Sequence, residues 1–126
     1  MASTQYIPGV CNIGPAEIRN RRRTGLISVG MGIVLTLALF AIGAPKITRV
    51  IIFLPFAIGA SALIQAQLHF CAGFGAAGLF NFSDEVGQTE SVSQAAYRAK
   101  DKKKSTQITV AAVIIGLGIA LIAVAL

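Results

Sequence analysis

The amino-acid sequence predicts an all-α integral membrane protein with three transmembrane helices, an antiparallel hairpin followed by a C-terminal span on a long helical connector. Three apolar stretches indicate the spans, namely Gly25–Ala44, Val50–Ala66 and Ile108–Leu126. A helix needs roughly 20 apolar residues to cross a hydrocarbon core of about 30 Å. The third stretch contains no charged residue and no proline. It therefore has the length and the polarity of a membrane-spanning helix.

The composition supports the same class of protein. Of the 126 residues, 55% are hydrophobic and only 13% are charged, whereas a soluble domain carries about 25% charged residues. The segments between the spans are too short to form a separate soluble domain. We therefore divide the chain into an N-terminal segment with the two-helix hairpin and an interfacial Phe- and Gly-rich segment (1–82), a polar and basic connector (83–106) and a C-terminal helix (107–126).

The distribution of positive charge predicts the orientation of the spans. The chain has 11 basic and 5 acidic residues, for a net charge of +6. Only Lys46 and Arg49 lie between the first two spans, and the other basic residues precede the first or the third. Basic residues beside spans favour the cytoplasmic side, so we expect a cytoplasmic N-terminus and an external C-terminus in a bacterial-type inner (plasma) membrane. The residues that we assign to topology and to contacts with membrane lipids are Arg19, Arg21, Arg22, Arg23, Lys102, Lys103 and Lys104.

The start of the first helix is indicated by Pro15 and Glu17. Proline suits the first helical position, and a carboxylate stabilises the positive end of the helix dipole. The alternative for this region is a cleaved secretory signal, because arginines precede the apolar run and small residues follow it. A signal core has roughly 7–15 apolar residues, whereas this run has about 19. We therefore expect the segment to be a retained transmembrane helix.

Glycine and proline predict the boundaries of the other elements. The sequence at 43–46 predicts a tight turn between the first two spans. Pro55 falls inside the second span, where it is expected to kink the helix, either as a static bend or as a hinge. The segment at 70–82 is too short to cross and is expected at the cytoplasmic interface. A helix is expected from about Thr89 into the third span, with a disordered connector as the alternative.

His69, Cys71 and Cys11 are the residues with metal-ligand chemistry. Thiolate and imidazole bind zinc and copper, and the predicted topology places all three side chains on the cytoplasmic side. A structural zinc site has four protein ligands, and no Cys-x-x-Cys pair is present. The alternative is that both thiols are small buried hydrophobes and that the imidazole bonds a carbonyl or a lipid headgroup. The sequence leaves both interpretations open.

Small residues recur every four positions along the third span, at Ala112, Gly116 and Ala120. Such a face lets helix backbones approach closely and supports helix packing in membranes. The partner of this face is either the hairpin of the same chain or another subunit.

The residues of the short N-terminal motif resemble one known family. Asn12-x-Gly14, Glu17, Arg21 and Gly25 precede an apolar helix, and Cys71, Phe74 and Gly78 follow the second span. This pattern resembles the YgaP-type small transmembrane domain family over residues 12–80, although Ala72 stands where the family has a proline. The resemblance implies a helical hairpin without an established catalytic role. It also implies that Asn12, Gly14, Glu17, Arg21 and Cys71 form a packed cluster, with Glu17 paired to an arginine.

The function expected from these observations is non-catalytic. All five acidic residues lie outside the spans, and the sequence contains no phosphate-binding loop and no catalytic triad. We expect a small accessory subunit that stabilises a larger membrane complex of respiratory or photosynthetic type by helix packing. The expected partners are membrane lipids and other membrane subunits, with no nucleic acid and no cofactor. The alternatives are a thiol-redox or metal-binding membrane protein and a homo-oligomeric pore.

Overall fold

The computed structural model describes residues 5–126 and contains three helices that are long and apolar enough to cross a membrane. Their most apolar windows have mean hydropathies of 2.1, 2.1 and 2.8 in chain order. The elements in chain order are α1 (Pro15–Ala41), a 3₁₀ helix (Lys46–Ile52), α2 (Phe53–Leu68), α3 (Ala72–Ala77), β1 (Leu79–Phe80), β2 (Glu90–Ser91) and α4 (Ala95–Ala125). The long helices are therefore those that the apolar stretches predict.

Helices α1 and α2 form an antiparallel pair that depends on glycine. A Cβ atom added to Gly25 would lie 2.6 Å from Leu63, and one added to Gly59 would lie 2.7 Å from Val29. Glycine therefore allows each helix to approach the other more closely than any larger residue would permit. The hairpin that the tight turn at 43–46 predicts is thus present.

Helix α4 packs along α2 through its small residues. Ala112 is 3% exposed and Ala120 is fully buried. A Cβ atom on Gly116 would lie 2.8 Å from the Cβ of Ala57 in α2. Of the two partners considered for this face, the structure shows the hairpin of the same chain.

The packing of the three helices defines two ends of the molecule. The basic end contains residues 12–24, 65–82 and 95–108, and the far end contains residues 39–52 and 119–126. At the far end, Arg49 donates a hydrogen bond of 3.2 Å to the carbonyl of Ala123 and lies 4.1 Å from the ring centroid of Phe40. A cation at a helix C-terminus stabilises the carbonyls there. Arg49 thereby connects α4 to the hairpin.

A predicted helix kink and a predicted helix start differ from the structure. Pro55 lies in the first turn of α2, directly after the 3₁₀ helix, and so does not kink the interior of a helix. The connector helix begins at Ala95 instead of Thr89, because Glu90 and Ser91 pair with Phe80 and Leu79. From Ala95 the helix continues to Ala125 without a break over 31 residues, about 46 Å.

Candidate functional site: a buried polar cluster at the basic end

The side chain of Asn12 binds the backbone of the segment that follows α2, as a neighbouring β-strand would. Its Oδ1 accepts a 2.6 Å hydrogen bond from the backbone N–H of Cys71, and its Nδ2 donates a 3.1 Å bond to the carbonyl of Cys71. Its backbone N–H donates to the carbonyl of His69, and its carbonyl accepts from the N–H of Asn81. Asn12 is fully buried, so these bonds satisfy the main polar groups of a residue that water does not reach.

His69 ends α2 in the left-handed conformation. Its φ is 57°, and the N–H of the next residue, Phe70, donates to the carbonyl of Gln65. This arrangement is a common way to satisfy the last carbonyls of a helix, although the left-handed position usually holds glycine. The turn brings the carbonyl of His69 to Asn12. The backbone of His69 thus positions the cluster.

Gln65 supplies the second polar anchor of the same turn. Its Oε1 accepts a 3.0 Å hydrogen bond from the N–H of Ala72, and its Nε2 donates to the carbonyl and the hydroxyl of Ser61. Gln65 is 7% exposed. The side chain therefore fixes the start of α3 relative to α2.

Glu17, Arg21 and Cys71 form the ionic part of the cluster. Arg21 Nη2 lies 3.7 Å from Glu17 Oε2 and 2.8 Å from Cys71 Sγ. Glu17 is 1% exposed, and its Oε1 accepts a 3.3 Å hydrogen bond from the N–H of Gly87. A buried carboxylate is strongly destabilising without a positive partner. Arg21 supplies that partner and also covers the ring of Phe74 at 5.9 Å.

These contacts bring Asn12, Glu17, Arg21 and Cys71 together in one cluster. Asn12 and Arg21 both contact Cys71, and Glu17 pairs with Arg21. The Sγ of Cys71 also accepts a 3.5 Å hydrogen bond from the N–H of Phe74 and so begins α3. Arg21 faces into the protein, which separates it from the other basic residues that were assigned to the membrane surface.

The predicted metal-binding set of His69, Cys71 and Cys11 does not form a metal site in the structure. Within residues 5–126, no group of three or more His, Cys, Asp and Glu residues could hold a metal ion. Both cysteines are buried free thiols. Cys11 donates a 3.2 Å hydrogen bond to the carbonyl of Gln5, and Cys71 accepts from Arg21. Each sulfur atom therefore has a hydrogen-bond partner within the same chain.

Asp101 is a second buried carboxylate at the basic end. It is fully buried in α4 and accepts hydrogen bonds from the hydroxyl of Tyr6 at 2.5 Å and from the N–H of Gly9 at 2.8 Å. Burial, together with the hydrogen bond and the negative charge of Asp101, raises the pKa of the Tyr6 hydroxyl well above its ordinary value of 10. The ring of Tyr6 stacks on Phe80 at 5.0 Å. These contacts bind the N-terminal segment to α4.

Sequence reasoning missed Asp101 and Asn81. Asn81 is 1% exposed, and its Oδ1 accepts from the N–H and the hydroxyl of Ser83 while its Nδ2 donates to the carbonyl of Glu85. An Asn two residues before a Ser is a pattern typical of such turns. A lone acidic residue within the run 100–104 was the corresponding signal for Asp101.

The outward basic residues lie on two separate helices. Arg19, Arg22 and Arg23 of α1 are exposed, and so are Lys102 and Lys103 of α4, with Lys104 half-buried. The basic residues of α1 are therefore divided between an inward ionic cluster and an outward surface.

Comparison of the chain with family models, characterised proteins and solved structures finds no match. A proposal about function therefore depends on the geometry of the protein itself.

Proposed function

We propose that the protein is a small non-catalytic accessory subunit that packs at the edge of a larger membrane complex, of respiratory or photosynthetic type. It spans a bacterial-type inner (plasma) membrane three times, with the basic end and the N-terminus in the cytoplasm and the C-terminus outside. The observation that carries this proposal is the use of the buried polar side chains. Asn12, Gln65, Asn81 and Asp101 all hydrogen-bond to other groups of the same chain, so they stabilise the fold.

The outer surface of α4 supports a role in assembly. Gly118 is exposed, and a Cβ atom added there would meet nothing within 4 Å. Its neighbours one turn away, Ile114 and Ile122, are 63% and 64% exposed. A glycine between large apolar residues leaves a recess into which a second helix fits closely.

An apolar groove next to this surface adds area for a partner. The groove has a volume of about 240 Å³ and lies between α1 and α4 at the far end. Its walls include Phe40, Ile119 and Ile122, and Thr36 is its polar residue, with a hydroxyl that donates to the carbonyl of Gly32. Since the groove offers apolar walls and a satisfied hydroxyl, it suits an aliphatic or aromatic side chain of a neighbouring helix.

The experiment is purification of the tagged full-length protein from its native membrane in a mild detergent, followed by measurement of the mass of the intact particle. We expect a stoichiometric protein companion that the variant Gly118→Leu loses. Gly30→Leu is the matched control, because Gly30 is also an exposed helical glycine with nothing within 4 Å of an added Cβ. A lone monomer, or equal loss of the companion with both variants, would contradict the proposal.

A further inference from the structure

The outward face of α1 carries three arginines above an apolar surface. Arg19, Arg22 and Arg23 line an open depression of about 410 Å³ together with Leu26 and Ile27. Residues three or four apart lie on the same side of a helix, so the depression follows one face of α1. The arginines form the part of the depression nearer the N-terminus of α1, and Leu26 and Ile27 form the part nearer its C-terminus.

The three guanidinium groups are free of carboxylates. In the part of the chain that the structure describes, the ion pair of α1 joins Arg21 to Glu17, on the side of the helix that faces the protein. Glu17 is buried and its second oxygen accepts from Gly87. No acidic side chain of residues 5–126 lies within 4.0 Å of a nitrogen of Arg19, Arg22 or Arg23. Their charge is therefore available to an anion from outside the chain.

The same face continues toward the far end as an apolar strip with a recess. Leu26 and Ile27 are 61% and 54% exposed, and Val34 and Leu37 are 67% and 64% exposed. Gly30 lies between these pairs, and a Cβ atom added there would meet nothing within 4 Å. Gly30 therefore leaves a recess within the strip, on the side of the depression away from the arginines.

We propose that this face of α1 is a specific binding site for an anionic phospholipid. The phosphate lies among Arg19, Arg22 and Arg23, and an acyl chain follows the strip past Gly30. One guanidinium group can donate two parallel hydrogen bonds to two oxygens of a phosphate. Along the helix the charged residues come first and the apolar strip follows, which matches a charged lipid headgroup followed by an apolar acyl chain.

The strip is long enough to cover one leaflet. Leu37 lies fourteen positions after Arg23, which corresponds to about 21 Å of helix. Half of a hydrocarbon core of about 30 Å is shallower, so an acyl chain in one leaflet lies along the strip over its whole depth. A helix of a partner protein would not need cations at one end of the strip, whereas an anionic lipid does. The arginines and the length of the strip together therefore favour a lipid.

The test uses the purified full-length protein in a neutral detergent and measures retained lipid by native mass spectrometry. The probes are phosphatidylglycerol and phosphatidylcholine with identical acyl chains. We expect phosphatidylglycerol to be retained at least about tenfold more, since each cation near an anionic lipid contributes about fivefold. Replacement of all three arginines by glutamine should reduce the ratio to about one, in the triple variant Arg19→Gln, Arg22→Gln and Arg23→Gln.

A matched variant removes the same charge elsewhere at the basic end. It replaces residues of α4, and we expect it to keep the preference for phosphatidylglycerol within about threefold. If the two triple variants lose the preference equally, general attraction explains the binding and the specific site is wrong. Equal retention of both lipids by the unmodified protein would also overturn it. The substitutions of the matched variant are Lys102→Gln, Lys103→Gln and Lys104→Gln.

Two further measurements identify the ligand. Gly30→Leu fills the recess and should lower the retention of phosphatidylglycerol severalfold, whereas Gly118→Leu on α4 should leave it unchanged. Inorganic phosphate at the same concentration should not displace the lipid. Displacement by phosphate would assign the site to a free anion and would overturn the proposal.

A protein companion that only the arginine variant loses would assign this face of α1 to a protein partner. That result would also overturn the proposal.

Discussion

Asn12 and Cys71 exchange two hydrogen bonds, although 59 residues separate them in the chain. The carboxamide of Asn12 binds the N–H and the carbonyl of Cys71 in the way that a neighbouring strand would. Because the turn after α2 has no strand beside it at this point, the side chain replaces one. The N-terminal segment is therefore part of the bundle.

Asn12→Ala should destabilise the protein by about 1–3 kcal/mol, because it leaves the buried N–H of Cys71 without a partner. The carbonyl of Cys71 loses one of its two hydrogen bonds and keeps the one from the N–H of Gly75. The measurement is unfolding of the purified protein by denaturant in detergent. Asn20→Ala is the control, since Asn20 is a partly exposed residue of α1 and should change stability by less than about 0.5 kcal/mol. Equal effects of the two substitutions would show that the bonds to Cys71 contribute little.

Arg21→Gln should be more destabilising than Glu17→Gln. The first leaves a buried carboxylate without its cation, which costs about 3–5 kcal/mol in buried pairs. The second leaves an arginine that is 27% exposed and that still binds the sulfur of Cys71. Unfolding of both single variants and the double variant gives the coupling energy. A coupling energy near zero would contradict the pairing of these two side chains.

Gly116→Ala and Gly118→Ala should have opposite effects. A methyl group on Gly116 meets Ala57 at 2.8 Å, so α2 and α4 must separate, at a cost of about 1–3 kcal/mol. A methyl group on Gly118 meets nothing, and alanine favours a helix over glycine by about 0.8–1.0 kcal/mol. Thermal unfolding of the two variants measures the difference. If Gly116→Ala is as stable as Gly118→Ala, α4 does not pack on α2 as described.

The free energy of unfolding should fall as pH rises above about 10, the pKa of an unfolded tyrosine. The folded protein holds the Tyr6 proton to higher pH, so above pH 10 the unfolded state releases a proton that the folded state keeps. This contribution is complete below pH 10 and is lost progressively above it. Unfolding between pH 8 and 11 should show a smaller decline for Tyr6→Phe than for the unmodified protein, and equal declines would contradict the burial of this hydroxyl against Asp101.

Both thiols should react slowly with a small membrane-permeant maleimide while the protein is folded. Cys11 and Cys71 are 3% and 2% exposed, and a buried thiol reacts only when the structure opens. The measurement is the labelling rate before and after denaturation, with Cys11→Ser and Cys71→Ser to separate the sites. Rapid labelling of folded Cys71 would favour the thiol-redox alternative over the accessory subunit.

The long apolar helices could be predicted from the sequence because each span depends mainly on local composition. The start of α1 at Pro15 and the small-residue face of α4 depend on residues close together in the chain. The pairing of β1 with β2 was not predictable in this way. It moves the start of α4 from Thr89 to Ala95 through contacts between distant segments.

The contacts of the polar cluster also divide into local ones, which the sequence predicts, and ones between distant segments, which it does not. Glu17 and Arg21 are one helical turn apart, so their pairing follows from spacing. Asn81 and Asp101 are buried by segments far away in sequence. A single polar residue in a loop or within a lysine run gives little sign of such burial. The same holds for Cys71, whose Arg21 partner comes from α1.

The contacts of Asp101 set an order for biogenesis. Tyr6 and Gly9 precede Asp101 by 95 and 92 residues, so both leave the ribosome long before their acceptor exists. Helices α1 and α2 are synthesised first, while the N-terminal segment still lacks its partner on α4. Only synthesis of α4 completes the basic end, so any product that stops before Asp101 leaves Tyr6 and Gly9 without this acceptor.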